Sequence, residues 1–376
     1  MLKLSRGDIM TYLDYSATTP VNDEVLESFV NTCKSYPGNP NSLHKLGVDS
    51  SHLIELSTNQ ILKLLKLNDY EVIYTSGASE SNNLAIKGIC DKYSNRGKHI
   101  ITTMLEHSSV NEPIEYLKSR GFDISYAKLD SDGRINIESL KEIIRDDTIL
   151  VSINAVNSEL GIVQPIEEIG KLLSNYPKCY FHVDMTQAIG KINLNLNDVD
   201  LFSFSAHKFY GIKGIGALIK KSKIIIEPII HGGKSTTIYR SGTPSTPLIV
   251  SMAKALRLII DNNNYEYVKN INSELREFFN NYELVHINST EACIPHILNI
   301  SIKGVKPETF LHALEKYEVY ISTKSACSTS NISSVVYEIT KNKDFALSSI
   351  RISLSYLTSK EDINIFKAAF DKCYKE

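Results

Sequence analysis

The residues between Tyr180 and Gly211 read YFHVDMTQAIG, a short connection, then LFSFSAHKFYG. Each half opens on a short apolar run with β-branched or aromatic residues, the pattern of a buried strand. Each run ends in polar residues: Asp184 and Gln187 after the first, Ser205, His207 and Lys208 after the second. Ligands of open α/β sheets bind at the carboxyl ends of the strands, so a carboxylate and an amine at two such ends outline a site. Pyridoxal phosphate (PLP) needs that pair. A lysine forms its Schiff base, and an aspartate keeps the pyridine nitrogen protonated so that the ring withdraws electrons. A salt-bridged aspartate and a solvated lysine would account for the same two residues equally well.

A second stretch, EVIYTSGASESNNLAIKGI, reads as a strand over Val72–Tyr74, a turn of small residues Ser76-Gly77-Ala78-Ser79, and a helix from Glu80 to about Tyr93. Small residues at a strand-to-helix turn expose the first N–H groups of the helix, which bind anions such as phosphate. An ordinary cap, Ser79 with Asn82 or Asn83, would use the same residues.

The elements that must position these groups alternate. A helix follows Asn22 or Asp23, either of which suits an N-cap, and another covers about Val48 to Leu65. KHIITTMLEH predicts a strand ending near His107, then a helix in EPIEYLKSRG. DISYAKL and TILVSINAVN predict strands, and IESLKEII and IEEIGKLLSN helices. This βαβα order implies a mainly parallel sheet covered by helices. The glycines of GIKGIG precede the strand ALII and open no helix, so they are no dinucleotide fingerprint. After a helix from about Leu248 to Asp261, the strands PHILNISI, YEVYIS and SSIRISLS and a closing helix EDINIFKAAFDKCY suggest a smaller α+β domain.

Composition narrows the class. A chain of 376 residues suggests two or three domains, and 42% apolar with 22% charged residues is ordinary for a soluble protein. The net charge of -2 argues against nucleic acid or an anionic membrane as main partner. No apolar run approaches the ~18 residues that span a bilayer, and the N-terminal residues lack a signal-peptide core. The six cysteines, Cys33, Cys90, Cys179, Cys293, Cys327 and Cys373, are scattered without a CxxC pair. That is the usage of a reducing cytoplasm, with neither disulfides nor a metal site expected.

In order, DYSATTP, GNPNS, SGASESNNLAIKG, LEH, HVDMTQ, SFSAHKFYG, RSGT, SACS and SSIRISL resemble the cysteine desulfurases of the NifS/IscS type, class V members of the fold-type I PLP enzymes. The resemblance covers essentially the whole chain. It implies a large domain over residues 16–261 with a mainly parallel seven-stranded sheet. Residues 1–15 and 262–376 would form the smaller α+β domain, carrying the Cys327 loop. It implies Lys208 as the Schiff-base lysine and mover of the Cα proton, and Asp184 as the partner of the pyridinium nitrogen. His107 would stack on the ring and, as a further catalytic residue, shuttle protons, and Gln187 would bond the ring hydroxyl. Ala78, Ser79, Ser205 and His207 would hold the phosphate, with Thr243 reaching in from a second subunit. Arg351 would pair with the substrate carboxylate, a bidentate task suited to a guanidinium, and Asn39 would line the substrate end.

Cys327, in the longer-loop context TKSACS, would take sulfur from L-cysteine as a persulfide and pass it to an acceptor protein, an Fe–S scaffold or a tRNA-thiolation enzyme. L-Alanine is then the product, and the assembly a cytoplasmic homodimer. A class V aminotransferase or lyase with an incidental Cys327 is the alternative, and a non-catalytic paralogue the third reading. Two departures stand out. The family pattern VNNE reads Val156-Asn157-Ser158-Glu159, so Ser158 offers only a hydroxyl where an amide is usual. The sequence also ends at Glu376, without the C-terminal tail that docks the scaffold in IscS-type relatives, which puts that partner in question.

Overall fold

The structure, a computed structural model, describes residues 2–3, 9–233, 235–262, 264–323 and 332–375. Seven strands form one sheet in the order Tyr70–Thr75, Gly216–Lys221, Leu201–Ser205, Tyr180–Asp184, Thr148–Asn154, His99–Thr102 and Asp123–Tyr126. Gly216–Lys221 runs antiparallel to both neighbours, and the other six share one direction. The continuous apolar runs are explained by cover on both faces: Thr148–Asn154 is buried at every position. Along Tyr70–Thr75 the side chains alternate. Val72 and Tyr74 join a core with Ile169, Met252 and Leu256, whereas Ile73 joins one with Leu84, Ile89 and Val110.

Gly216 allows the reversed strand to approach the neighbouring turn. A Cβ there would lie 2.6 Å from the Phe204 carbonyl oxygen and 2.7 Å from Gly77 Cα. No side chain larger than hydrogen fits without moving backbone.

A further core gathers Leu13, Val268, Leu275, Phe279, Leu298, Phe366 and Phe370. Its antiparallel sheet is ordered Val285–Ile287, Ile297–Ile302, Ser349–Ser353. The N-terminal strand Ile9–Tyr12 pairs in parallel with Val319–Tyr320. Phe370 sits among the rings of Phe279, Tyr282 and Phe310 at 5.1–5.3 Å between centroids. Truncating such a residue to alanine costs about 3–5 kcal/mol.

The Asp23–Ser35 helix is capped by Asn22, whose side chain accepts from the Glu24 and Val25 N–H groups. The strand expected to run toward His107 stops at Thr102, and His107 instead caps the helix Ser108–Ser119. The helix Ala78–Tyr93 begins without a side-chain cap. Ser79 does not serve as one; its carbonyl accepts from Asn83 Nδ2 at 2.9 Å.

Candidate active site

The carboxyl ends of the strands Tyr180–Asp184 and Leu201–Ser205 open into a cavity of about 450 Å³. Asp184, 5% exposed, closes its strand. Its Oδ1 accepts from the Thr186 N–H at 2.9 Å and its Oδ2 from Asn82 Nδ2 at 2.8 Å, so two donors fix the carboxylate. Asn82 also donates to Ser109 Oγ at 2.9 Å, linking Asp184 to the His107 cap.

His107 Nδ1 accepts from the Ser109 N–H at 3.1 Å and lies 2.9 Å from Ser109 Oγ. A backbone N–H can only donate, so the neutral ring carries its proton on Nε2. Burial holds its pKa below the usual histidine value, against the opposing pull of Asp184.

Lys208 ends a short 3₁₀ turn, Ala206–Lys208, directly after its strand. Its Nζ donates to the carbonyls of Ser16 and Ala17, each at 2.7 Å. Gln187 Nε2 donates to the same Ser16 carbonyl at 2.9 Å, and Gln187 Oε1 accepts from Lys191 Nζ at 2.6 Å.

The opposite wall can hold an anion. The uncapped N-terminus of Ala78–Tyr93 leaves first-turn N–H groups at the cavity. Glu80 folds back onto the Ser76 N–H at 2.8 Å and binds Arg240 Nε at 2.9 Å. Ser205 and His207 line the same wall. His207 Nδ1 meets Thr18 Oγ1 at 3.1 Å, and burial, aided by nearby Lys208, pushes its pKa down to about 4.

Arg351 enters from the strand Ser349–Ser353, 1% exposed. Nη1 donates to the Ser158 carbonyl at 3.0 Å and Nη2 to Asp14 Oδ1 at 2.8 Å, while buried Nε has no partner in the protein. Ser158 thus serves Arg351 through its backbone carbonyl, and the residue lines the cavity.

The cavity thus brings together Ala78, Ser79, His107, Asp184, Gln187, Ser205, His207, Lys208 and Arg351. It does not bring in Asn39 or Thr243 from the same chain. Both are exposed, and Asn39 Oδ1 accepts from the Asn41 N–H at 3.0 Å. Cys327 lies outside the described residues. A wider cleft of about 750 Å³ adjoins the cavity and shares Ser16 and Lys208 with it, but it contains neither Asp184 nor the helix terminus. Sequence reading missed Asn82, Lys191 and the carbonyls of Ser16 and Ala17. Backbone acceptors leave no side-chain signal; only the four-residue spacing of Gln187 and Lys191 offered one.

These residues fit PLP: an amine at Lys208, a carboxylate at Asp184, free helix N–H groups for a phosphate, and an orphaned guanidinium nitrogen at the substrate end. Comparison with known proteins agrees. The family described as Aminotransferase class-V matches residues 11–366. The cysteine desulfurase IscS of Buchnera aphidicola subsp. Baizongia pistaciae is 43% identical over 94% of this chain and 90% of its own. A solved NifS-like protein superposes with a TM-score of 0.90 at 32% identity, covering 98% of this chain and 99% of its own. SspA, solved in complex with cysteine, gives 0.81 at 32% identity, covering 92% and 98%. The chain belongs to the class V aminotransferase family and, within it, to the PLP-dependent cysteine desulfurases of the NifS/IscS type.

Proposed function

We propose that this protein converts L-cysteine to L-alanine and carries the released sulfur as a persulfide on Cys327 to an acceptor protein. The observation that carries the reading is the cavity joining Lys208, Asp184 and the orphaned Nε of Arg351. A relative of similar fold is solved with cysteine bound.

Bound PLP supplies the electron sink. Asp184 holds the proton on its ring nitrogen, and Gln187 donates to the ring oxygen. Ala78, Ser79, Ser205 and His207 hold the phosphate. Arg351 orients the substrate carboxylate. Lys208 Nζ, drawn off the Ser16 and Ala17 carbonyls, would take the Cα proton, and His107 lines the same cavity. The Cys327 thiolate attacks the substrate sulfur, forming the S–S bond as the C–S bond breaks, and the carbon fragment takes up a proton to leave alanine. Ser322 exchanges backbone hydrogen bonds with Arg351 at 2.7 and 3.1 Å. Cys327 is five residues further along the sequence.

We further assign residues 16–261 to a large domain and 1–15 with 262–376 to a small one, the packing of Leu13 among C-terminal residues supporting this division. Thr243, exposed in a single chain, completes the phosphate site of a second subunit in a homodimer, and Asn39 lines the substrate end. The acceptor is an Fe–S scaffold or a tRNA-thiolation enzyme, met in the cytoplasm. No helix among the described residues is long and apolar enough to cross a membrane.

The test is incubation with L-cysteine and joint measurement of alanine and sulfide. Cys327→Ala should form no alanine, whereas replacing any of the other five cysteines should leave the rate nearly unchanged. A fully active Cys327→Ala protein would transfer the reading to an aminotransferase or lyase.

A further inference from the structure

The amide of Gln187 is held at both ends by groups that permit only one orientation. Lys191 Nζ lies 2.6 Å from Oε1 and, as the ammonium, carries donors and no acceptor. The Ser16 carbonyl, 2.9 Å from Nε2, can only accept. The carbonyl end of Gln187 must therefore face Lys191 and the NH₂ end must face Ser16. Reversing the amide would set its NH₂ against an ammonium and its oxygen against a carbonyl. One Nε2 hydrogen serves Ser16, which leaves the other for the cavity that Gln187 lines.

We propose that Lys191 is a positioning residue that acts through Gln187, locking the amide so that it presents an N–H, and never its carbonyl, to the ring oxygen of the bound cofactor. This rests on the assignment of Gln187 to that oxygen. Lys191 does not line the catalytic cavity; it stands in the adjoining cleft. Among the described residues no carboxylate lies within salt-bridge distance of it, and the charged or titratable groups acting on it are Lys208, Arg351 and His296. A half-buried lysine without a counter-ion is costly to keep charged, and desolvation lowers its pKa to about 7, so the ammonium that the lock needs is the form below that pH. The Gln187 carbonyl is the acceptor that compensates it. Lys208 shares the Ser16 carbonyl with Gln187. When Lys208 moves off to react, the Lys191–Gln187–Ser16 chain keeps that carbonyl in place.

The test reads the pH titration of the visible absorption band of the holoenzyme, whose midpoint depends on donation to the ring oxygen. A donor there favours the deprotonated form of the lysine-linked cofactor, so losing it raises the midpoint. Lys191→Met should raise it by about one unit, and Gln187→Ala by a similar amount. The double variant should move no further than Gln187→Ala alone, the non-additive result expected of residues acting in series. Lys191→Gln, which keeps a donor but no charge, should restore the wild-type midpoint and covers the case that the methionine variant folds poorly. An unchanged midpoint in Lys191→Met, additive shifts in the double variant, or a Lys191→Gln midpoint matching Lys191→Met would each overturn the proposal. Alanine formation by the wild-type enzyme is measured alongside. Its absence would count against the desulfurase reading alone, because the band reports cofactor on Lys208 whatever the reaction.

Discussion

Arg351→Lys tests the substrate end of the site without leaving a buried ion unpaired. The guanidinium has five N–H donors. One serves the Ser158 carbonyl and one Asp14, which leaves three, the unpartnered Nε–H among them. A substrate carboxylate can thus be held by two parallel bonds while both protein contacts persist. Lysine keeps the charge opposite Asp14 but offers a point contact in place of the fork. One charge-assisted hydrogen bond contributes about 1.5–3 kcal/mol, so kcat/KM for L-cysteine should fall roughly 10- to 150-fold. The assay is sulfide released under excess reductant from L-cysteine, with cysteamine, which lacks the carboxylate and would leave ethylamine in place of alanine, as control. Cysteamine turnover should be equal in the two proteins. A loss under threefold with L-cysteine, or an equal loss with cysteamine, would show that Arg351 does not hold the carboxylate. Arg351→Ala is the poorer choice, because stranding Asp14 and the Ser158 carbonyl costs about 3–5 kcal/mol of stability.

Asp184→Asn keeps the size of the side chain but not its charge, so alanine formation should drop at least a hundredfold, about 2.7 kcal/mol of barrier, while the folded circular-dichroism spectrum is unchanged; near-normal turnover would make Asp184 structural. Stability should fall as pH drops from about 6.5 toward 5, followed as the urea midpoint. His182 and His207 bind a proton only near pH 4 when folded, and His296 only near 3, all through burial, whereas unfolded histidines bind it near 6.5, so the unfolded state holds more protons in that window. Glu106, raised to about 8 by burial, pulls the other way, but one carboxyl is outweighed by three histidines; a flat or rising midpoint would contradict this. Light scattering should report a dimer, and Thr243→Ala should weaken PLP retention on equilibrium dialysis without dissociating it; an active monomer would remove the role given to Thr243.

The strands that end in Asp184 and Ser205 were legible because each apolar run stops abruptly at polar residues. The reversal of Gly216–Lys221 was legible in principle, since the few residues after Lys208 are too short for a crossover helix. The helix Tyr265–Phe279 escaped notice because its apolar positions are diluted by charge, although Val268, Ile271, Leu275 and Phe279 are all buried. The site was readable in its side chains and opaque in its backbone. Nothing in DYSATTP announces that two of its carbonyls hold Lys208, and a reading by pattern carried the strand on to near His107 because β-branched and apolar residues continue past Thr102. Pairing of residues 9–12 with 319–320 has no local signal at all.

That last pairing bears on how the protein is made. The residues that fasten the start of the chain come from its end. The Ser16 N–H bonds Ser353 Oγ across 337 positions, and Thr11 Oγ1 bonds Asp362 across 351. Lys208 bonds the Ser16 carbonyl, 192 positions before it, and that segment is fastened by Ser353, which follows Lys208 in the chain. The central sheet lies wholly within residues 70–221, so a growing polypeptide can complete it while residues 9–16 still lack their partners. Contacts this distant in sequence form slowly and late. A chain cut short before Arg351 therefore has a complete central sheet and the reactive lysine, but neither the guanidinium clamp nor the Ser353 and Asp362 contacts that fasten residues 11–16.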